Sequence, residues 1–160
     1  KVLGLEESLL RGARSIRVET DGLLEDQSLS DGSLPDCIIL PGGLGCAKAL
    51  ASSELVHSLV RIQLASKGIL AAICASPALV LSAAGVLDGR TWTCYPGMEK
   101  DVSSGIWSGE RVVVDGNLVS SRGPGCAEEF SLVLIELLFG SAARLDIARA
   151  IVSREAGASK

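Results

Sequence analysis

The sequence predicts a single α/β domain built on a mainly parallel sheet with helices on both faces. Three observations predict it. Short runs of branched apolar residues occur at 37–40 and 69–73. A helical pattern follows each run, and glycine, proline or small residues stand at each junction. Strands that are apolar on both sides and alternate with helices belong to a parallel sheet covered on both faces. A chain of 160 residues is long enough to enclose one hydrophobic core.

The elements follow in order. Lys1-Val2-Leu3 reads as the tail of a strand, and a doubly wound sheet ordinarily opens with a strand and its crossover helix. A first strand and helix are therefore expected to be missing from the chain, as in a fragment or a piece of a cleaved protein. Ser15 to Glu19 alternates like a short half-exposed strand, Asp21-Gly22 ends it, and Leu23 to Ser33 reads as loop with a short helix. Cys37 to Leu40 is a fully apolar strand running into Pro41-Gly42-Gly43. Ala47 to Ala51 and Ser53 to Lys67 are helical, with Ser52 or Ser53 as N-cap and Gly68 as the stop. On the second of these helices Leu55, Leu59 and Ile62 share one face, while Glu54, His57 and Arg61 share another.

Ile69 to Ile73 is the next apolar strand, Ala75 to Leu87 its helix, and Thr91 to Tyr95 a further strand. Arg111 to Val114 and Asn117 to Ser121, joined by Asp115-Gly116, form a hairpin on turn chemistry. Pro124-Gly125 opens a long apolar helix that ends at Phe139 before Gly140. Ser141 caps a last helix to about Val152, and residues 153–160 form a polar, frayed tail. Without an internal repeat or a low-complexity linker, residues 1–160 read as one domain.

Composition narrows the function classes. Hydrophobic residues make up 48% and charged residues 21%, the balance of a folded globular protein. Fifteen basic and nineteen acidic residues give a net charge of −4 without a basic block, so nothing suggests nucleic-acid or anionic-membrane binding. The five aromatics (Tyr95, Trp92, Trp107, Phe130, Phe139) are too few and scattered for a base-stacking surface. No run approaches the ~18 apolar residues of a membrane span, and the start of the chain has no basic-then-apolar leader pattern. Five cysteines form an odd set without a C-x-x-C pair, which points to neither a disulfide framework nor a metal site. A reducing compartment, the cytoplasm, is expected.

Chemistry concentrates in three strand-to-helix turns: Leu40-Pro41-Gly42-Gly43, Ile73-Cys74-Ala75-Ser76 and Ser121-Arg122-Gly123-Pro124-Gly125. Ligands of parallel sheets bind outside the carboxyl ends of the strands, and all three turns fall on that edge. A cysteine at a sharp strand-to-helix bend faces the first free N–H groups of the helix, which favours its nucleophilic form. Cys74 is therefore the expected catalytic nucleophile, with the N–H groups of Gly43 and Ala75 as oxyanion donors. Glycines at 42, 43, 123 and 125 would let the backbone approach a small bound molecule. Taken singly, P-G-G is most often a mere turn and a buried cysteine a mere core residue.

Together these residues resemble the DJ-1/ThiJ/PfpI superfamily, and its DJ-1 branch in particular, from Asp36 to Gly140. The carriers are I-I-L-P-G-G at 38–43, G-I-L-A-A-I-C-A-S-P at 68–77, and S-S-R-G-P-G at 120–125 followed by E-F at 129–130. Upstream, Arg14 with Ile16, Val18 and Asp21 is similar to the family's arginine-bearing strand. The resemblance implies a flavodoxin-like three-layer sandwich, a homodimer and no cofactor or metal. It implies that Cys74 is an oxidation-sensitive nucleophile on a strained elbow. Gly42, Ser121, Gly123 and Pro124 would wall the substrate pocket, and Arg14 would cross to the partner's site.

The activities so implied are glyoxalase or deglycase action, on 2-oxoaldehydes or on glycated amines, through a hemithioacetal on Cys74. The alternative is a redox-sensing chaperone of oxidative stress, in which Cys74 is oxidised to sulfinate with little turnover. Two departures from the family pattern count. The family's acid is a glutamate on the first helix, and Glu6 and Glu7 stand too close to Arg14 to be that residue. Ala75 occupies the place of the histidine in the protease-like branch, which disfavours a Cys–His protease. His57 reads as a surface histidine, Cys37 as core and Cys46 as loop, while Cys94 and Cys126 read as buried thiols near functional turns. Glu128 and Glu129 suit the first turn of their helix on charge alone, and Trp92 and Trp107 read as core or interface.

Overall fold

A computed structural model describes residues 1–27 and 34–154. The expected loop or short helix at 23–33 and the tail at 153–160 therefore lie partly outside the described residues. The main sheet comprises β5 (Cys37–Leu40), β6 (Ile69–Ile73), β10 (Leu118–Ser121) and β9 (Val112–Asp115), in the order β5-β6-β10-β9. The first three are parallel, with Cys37 opposite Ile69 and Leu118 opposite Leu70, and β9 runs antiparallel to β10. Three smaller pairs complete the strands. β1 (Leu3–Gly4) is parallel to β4 (Gly22–Leu23), β2 (Leu9–Arg11) antiparallel to β3 (Arg17–Glu19), and β7 (Thr91–Trp92) parallel to β8 (Ile106–Trp107).

Strand alternation divides the core into two layers. Leu70, Ala72 and Leu118 point to one face, where Val56, Val60, Val80, Leu81 and Trp92 meet them. Ala71 and Val119, the intervening residues, point to the other face and pack on Phe130 and Leu134. The first face is covered by α1 (Leu44–Ala51), α2 (Glu54–Ala65) and a π-helical turn (Pro77–Leu81); α3 (Ala127–Phe139) covers the second. That is the expected three-layer, flavodoxin-like α/β sandwich. Each fully buried leucine, such as Leu70 or Leu118, contributes roughly 1.5–3 kcal/mol of burial free energy. The last helix, α4 (Ser141–Ala150), packs on α3.

Several expectations shift. On α2 the buried face is Val56, His57, Leu59, Val60 and Gln63, whereas Leu55 and Ile62 are exposed. The seam is set by what the chain around α2 offers. Gln63 Nε2 donates to the carbonyls of Pro35 and Ile69, and the His57 ring bonds the Ala51 carbonyl at 2.9 Å. His57 is thus buried, not a surface histidine, because the two-residue α1–α2 link brings the end of α1 over it. β5 is an edge strand of the sheet among the described residues, and Ile39 is exposed despite its fully apolar run. The hairpin turn falls one residue later than expected, because Asp115 pairs with Leu118 and leaves Gly116, at φ 59°, and Asn117 as the loop. Cys46 lies on α1 and is exposed, while Trp92 is core and Trp107 half-exposed.

Candidate active site

β6 ends at Ile73, and the chain turns at Cys74 with φ 67°, a left-handed conformation that costs a side-chain-bearing residue about 1–2 kcal/mol. Two hydrogen bonds hold it there. The Cys74 N–H donates to the Ser121 carbonyl at 2.9 Å, and the Cys74 carbonyl accepts from the Tyr95 N–H at 2.8 Å. The elbow is therefore clamped between the ends of β10 and the segment after β7. Cys74 is partly exposed, unlike the fully buried Cys94.

The Pro41–Gly43 loop abuts this elbow. A Cβ added to Gly42 would stand 2.4 Å from Cys74 Cβ, 3.2 Å from its Sγ and 3.1 Å from the Ile73 carbonyl oxygen. Only glycine fits. Gly43, at φ 89°, precedes α1, and nothing lies near its missing side chain. Ser76, fully buried, donates its hydroxyl to the Pro41 carbonyl at 2.5 Å and ties the two loops together. Neither the Gly43 N–H nor the Ala75 N–H donates to a backbone carbonyl among the described residues, so both remain available as donors.

The third turn supplies the wall. Ser121 is fully buried and its hydroxyl donates to the Arg111 carbonyl, so its contribution is to hold the elbow and the β9 end. Gly123 is extended and a Cβ there would make ordinary contact with the Tyr95 ring; nothing approaches Gly125. Of the four glycines expected to permit close approach, Gly42 is required by its close contacts and Gly43 by its positive φ, whereas nothing demands glycine at 123 or 125. Gly123 and Pro124 line an open cleft of about 350 Å³ with Tyr95, Arg111, Arg122 and Cys126. Cys74 does not line that cleft but joins it through its bonds to Ser121 and Tyr95.

The remaining thiols differ chemically. Burial pushes Cys94 up to about 12, reinforced by the nearby Glu99 carboxylate, and its S–H donates to the Tyr95 carbonyl. Cys37 is also raised, by burial and by the neighbouring Asp36 carboxylate. Arg14 lies on the exposed tip between β2 and β3, one residue before Ser15 at φ 62°, and not on a strand. Among the described residues no cluster of His, Cys, Asp and Glu suits a metal ion. Sequence reasoning missed Ser76, Tyr95 and Arg122. Tyr95 was legible in the Tyr95-Pro96-Gly97 turn at the same sheet edge, and Arg122 lay inside the S-S-R-G-P-G motif; nothing local marked the Ser76 hydroxyl.

Comparison with known proteins agrees with this architecture. The profile of the DJ-1/PfpI family matches residues 1–137. The chain is 39% identical to protein DJ-1 homolog B of Arabidopsis thaliana over 86% of its length, although it spans only 31% of that protein. It is 38% identical to protein dj-1beta of Drosophila melanogaster, covering 89% of this chain and 79% of the relative. The crystal structure of Drosophila DJ-1beta superposes with a TM-score of 0.87, at 35% identity, covering 94% of this chain and 81% of that one. The glutathione-independent glyoxalase DJR-1.2 of Caenorhabditis elegans is 35% identical over 80% of this chain and 67% of the relative. With the family profile running from the first residue into α3 and the fold shared over 94% of its length, the chain belongs to the DJ-1/PfpI family.

Proposed function

We propose that the protein acts on 2-oxoaldehydes, or on their early adducts with amines, through covalent addition to Cys74. The observation that carries this reading is the elbow itself: a partly exposed thiol on a left-handed turn, with the unoccupied N–H groups of Gly43 and Ala75 beside it. The name of the related nematode glyoxalase supports the same substrate class.

The Cys74 thiolate adds to the aldehyde carbon, forming a C–S bond while the carbonyl π pair moves to oxygen. The Gly43 and Ala75 amides donate to that oxyanion. A proton then moves from the former aldehyde carbon to the neighbouring ketone carbon, which converts the hemithioacetal into the thioester of a 2-hydroxy acid. Water cleaves the thioester, releases the acid and restores the thiol. For methylglyoxal the sum is addition of one water to give lactate and a proton. His57 does not carry the proton in this scheme, because its ring is buried against the Ala51 carbonyl. A homodimer in the cytoplasm, with Arg14 entering the partner's site, completes the proposal; no helix of the described residues is long and apolar enough to cross a membrane.

Lactate release from methylglyoxal tests the reading. Wild-type protein should form lactate, and Cys74→Ser should lower the rate at least 100-fold; equal rates would overturn it. A redox-sensing chaperone is the second reading, favoured by a Toxoplasma gondii DJ-1 structure described as oxidized, to which this chain is 32% identical. Mass spectrometry after mild peroxide separates the two. Selective dioxidation of Cys74 with negligible lactate supports the sensor, and lactate formation supports the enzyme.

A further inference from the structure

The cleft beside the elbow carries a charge that the proposed chemistry does not use. Arg122 follows Ser121, whose carbonyl holds the Cys74 N–H, so its backbone stands one strand away from the nucleophile. Among the described residues its guanidinium is anchored by a single bond, Nη1 donating to the Gly109 carbonyl at 3.0 Å. The Nε–H is buried and has no acceptor among the described residues. A buried N–H on a charged group without an acceptor is unfavourable, and an anionic oxygen is the partner that relieves it.

The neighbouring cation is already engaged. Arg111 Nε donates to Glu129 at 2.7 Å and its Nη2 to the Gly125 carbonyl, so this side chain braces the cleft wall. Among the described residues no carboxylate stands within ion-pair distance of Arg122. Its positive charge acts on the thiol of Cys94, the residue before Tyr95, and lowers that thiol's pKa against the larger effect of burial. Tyr95, whose ring lies beside Gly123, gives the same cleft a flat apolar side. The volume of about 350 Å³ suits a small acid.

We infer that Arg122 and the Tyr95–Gly123 wall form a subsite for an anionic group, so that the preferred substrates are aldehydes or adducts bearing a carboxylate or phosphate a few bonds from the reacting carbonyl. The substrate part of this inference rests on the function proposed above; the binding part does not. A guanidinium offers parallel N–H donors to two oxygens, and a carboxylate and a phosphate share that geometry. The reacting end reaches Cys74 while the charged end stays in the cleft. For 4,5-dioxopentanoate the balanced conversion adds one water and yields 2-hydroxyglutarate and a proton.

The test has a binding arm and a turnover arm, both on the full chain. Amide NMR shifts are followed during titration with inorganic phosphate and, separately, glutarate. Saturable shifts centred on Tyr95 and Arg122 to Cys126, weakened at least tenfold in Arg122→Gln and less in Arg122→Lys, support the subsite. Saturation by phosphate alone assigns it to phosphorylated substrates, and by glutarate alone to carboxylates. Absence of saturable shifts in the wild type overturns the inference, whether or not the variants fold. In the turnover arm, kcat/KM for 4,5-dioxopentanoate divided by that for methylglyoxal should fall at least tenfold in Arg122→Gln. An unchanged ratio overturns the substrate preference. Saturable binding with no turnover of either aldehyde would leave the anion subsite standing and overturn the proposed function.

Discussion

The elbow after β6 and the β2–β3 hairpin are both expected to serve the same site, yet they are built in opposite ways. At the elbow, contacts within one chain settle every atom's place: Ser121 and Tyr95 clamp the Cys74 backbone, Gly42 leaves no spare volume, and Ser76 ties Pro41 to the turn. In the hairpin all six strand residues are exposed, and Leu9, Ile16 and Val18 leave much of their apolar surface in solvent. The strained residue Cys74 is held by its surroundings, whereas Arg14 at the hairpin tip is held only by its own turn. The lesson is that a strained turn is fixed by contacts that the folded domain brings to it, while an exposed hairpin tip lacks such contacts within its own chain. This is the physical reason to expect a partner subunit at the hairpin.

Breaking the elbow should produce the largest effect. Gly42→Ala places a methyl group into Cys74 and the Ile73 carbonyl, and neither is the far end of a flexible side chain. Overpacking of this kind costs about 1–3 kcal/mol. Urea unfolding should show that loss, and lactate formation should fall more than tenfold as Cys74 is displaced. Gly125→Ala, at a position with open space, should leave urea stability within ~0.5 kcal/mol of wild type.

Alkaline unfolding probes the buried thiol beside the elbow, with an intermediate effect. Cys94 is raised from 9.0 to about 12 in the folded state. Unfolded chains lose that proton near pH 9 while the native protein keeps it, so the unfolded state binds fewer protons over the interval between. Stability is therefore unaffected by this group below pH 9 and declines as pH rises toward 12. Thermal unfolding from pH 8 to 11 should show a falling Tm, and Cys94→Val should flatten that slope whatever its effect on Tm at pH 8.

At the hairpin the smallest effect on folding is expected. Arg14→Ala removes an exposed side chain, and urea stability should remain within ~0.5 kcal/mol of wild type. Methylglyoxal turnover should nevertheless decrease in proportion to the dimer population measured by sedimentation. Full activity in a monomeric sample, or a large stability loss, would contradict the division of labour between the two regions.

Much of the sheet was legible because its signals are local. The runs Cys37–Leu40 and Ile69–Ile73 are too short and too branched for helices, and the three turns at their carboxyl edge carry the glycines, proline and cysteine that mark a site. Less legible was α2, where an expected seam of Leu55, Leu59 and Ile62 gave way to one through Val56, Val60 and Gln63. Helical periodicity offers two neighbouring stripes of similar hydropathy there. The choice between them lay with the carbonyls of Pro35 and Ile69, which Gln63 satisfies. His57 was misplaced for the same reason, since its partner, the Ala51 carbonyl, comes from another helix.

The amino-acid order by itself determined the alternation of strand and helix, the placement of Cys74 at a strand end and the small residues that follow it. Tertiary structure alone decided that Gly42 and Gly43, of four candidate glycines, are the ones that must be glycine, and that Ser76, Tyr95 and Arg122 lie around the elbow and its cleft. Backbone conformation and apolar patterning act over a few residues and are written into neighbouring letters. Hydrogen bonds such as Ser76 to Pro41, 35 residues apart, exist only once the folded sheet has brought their ends together.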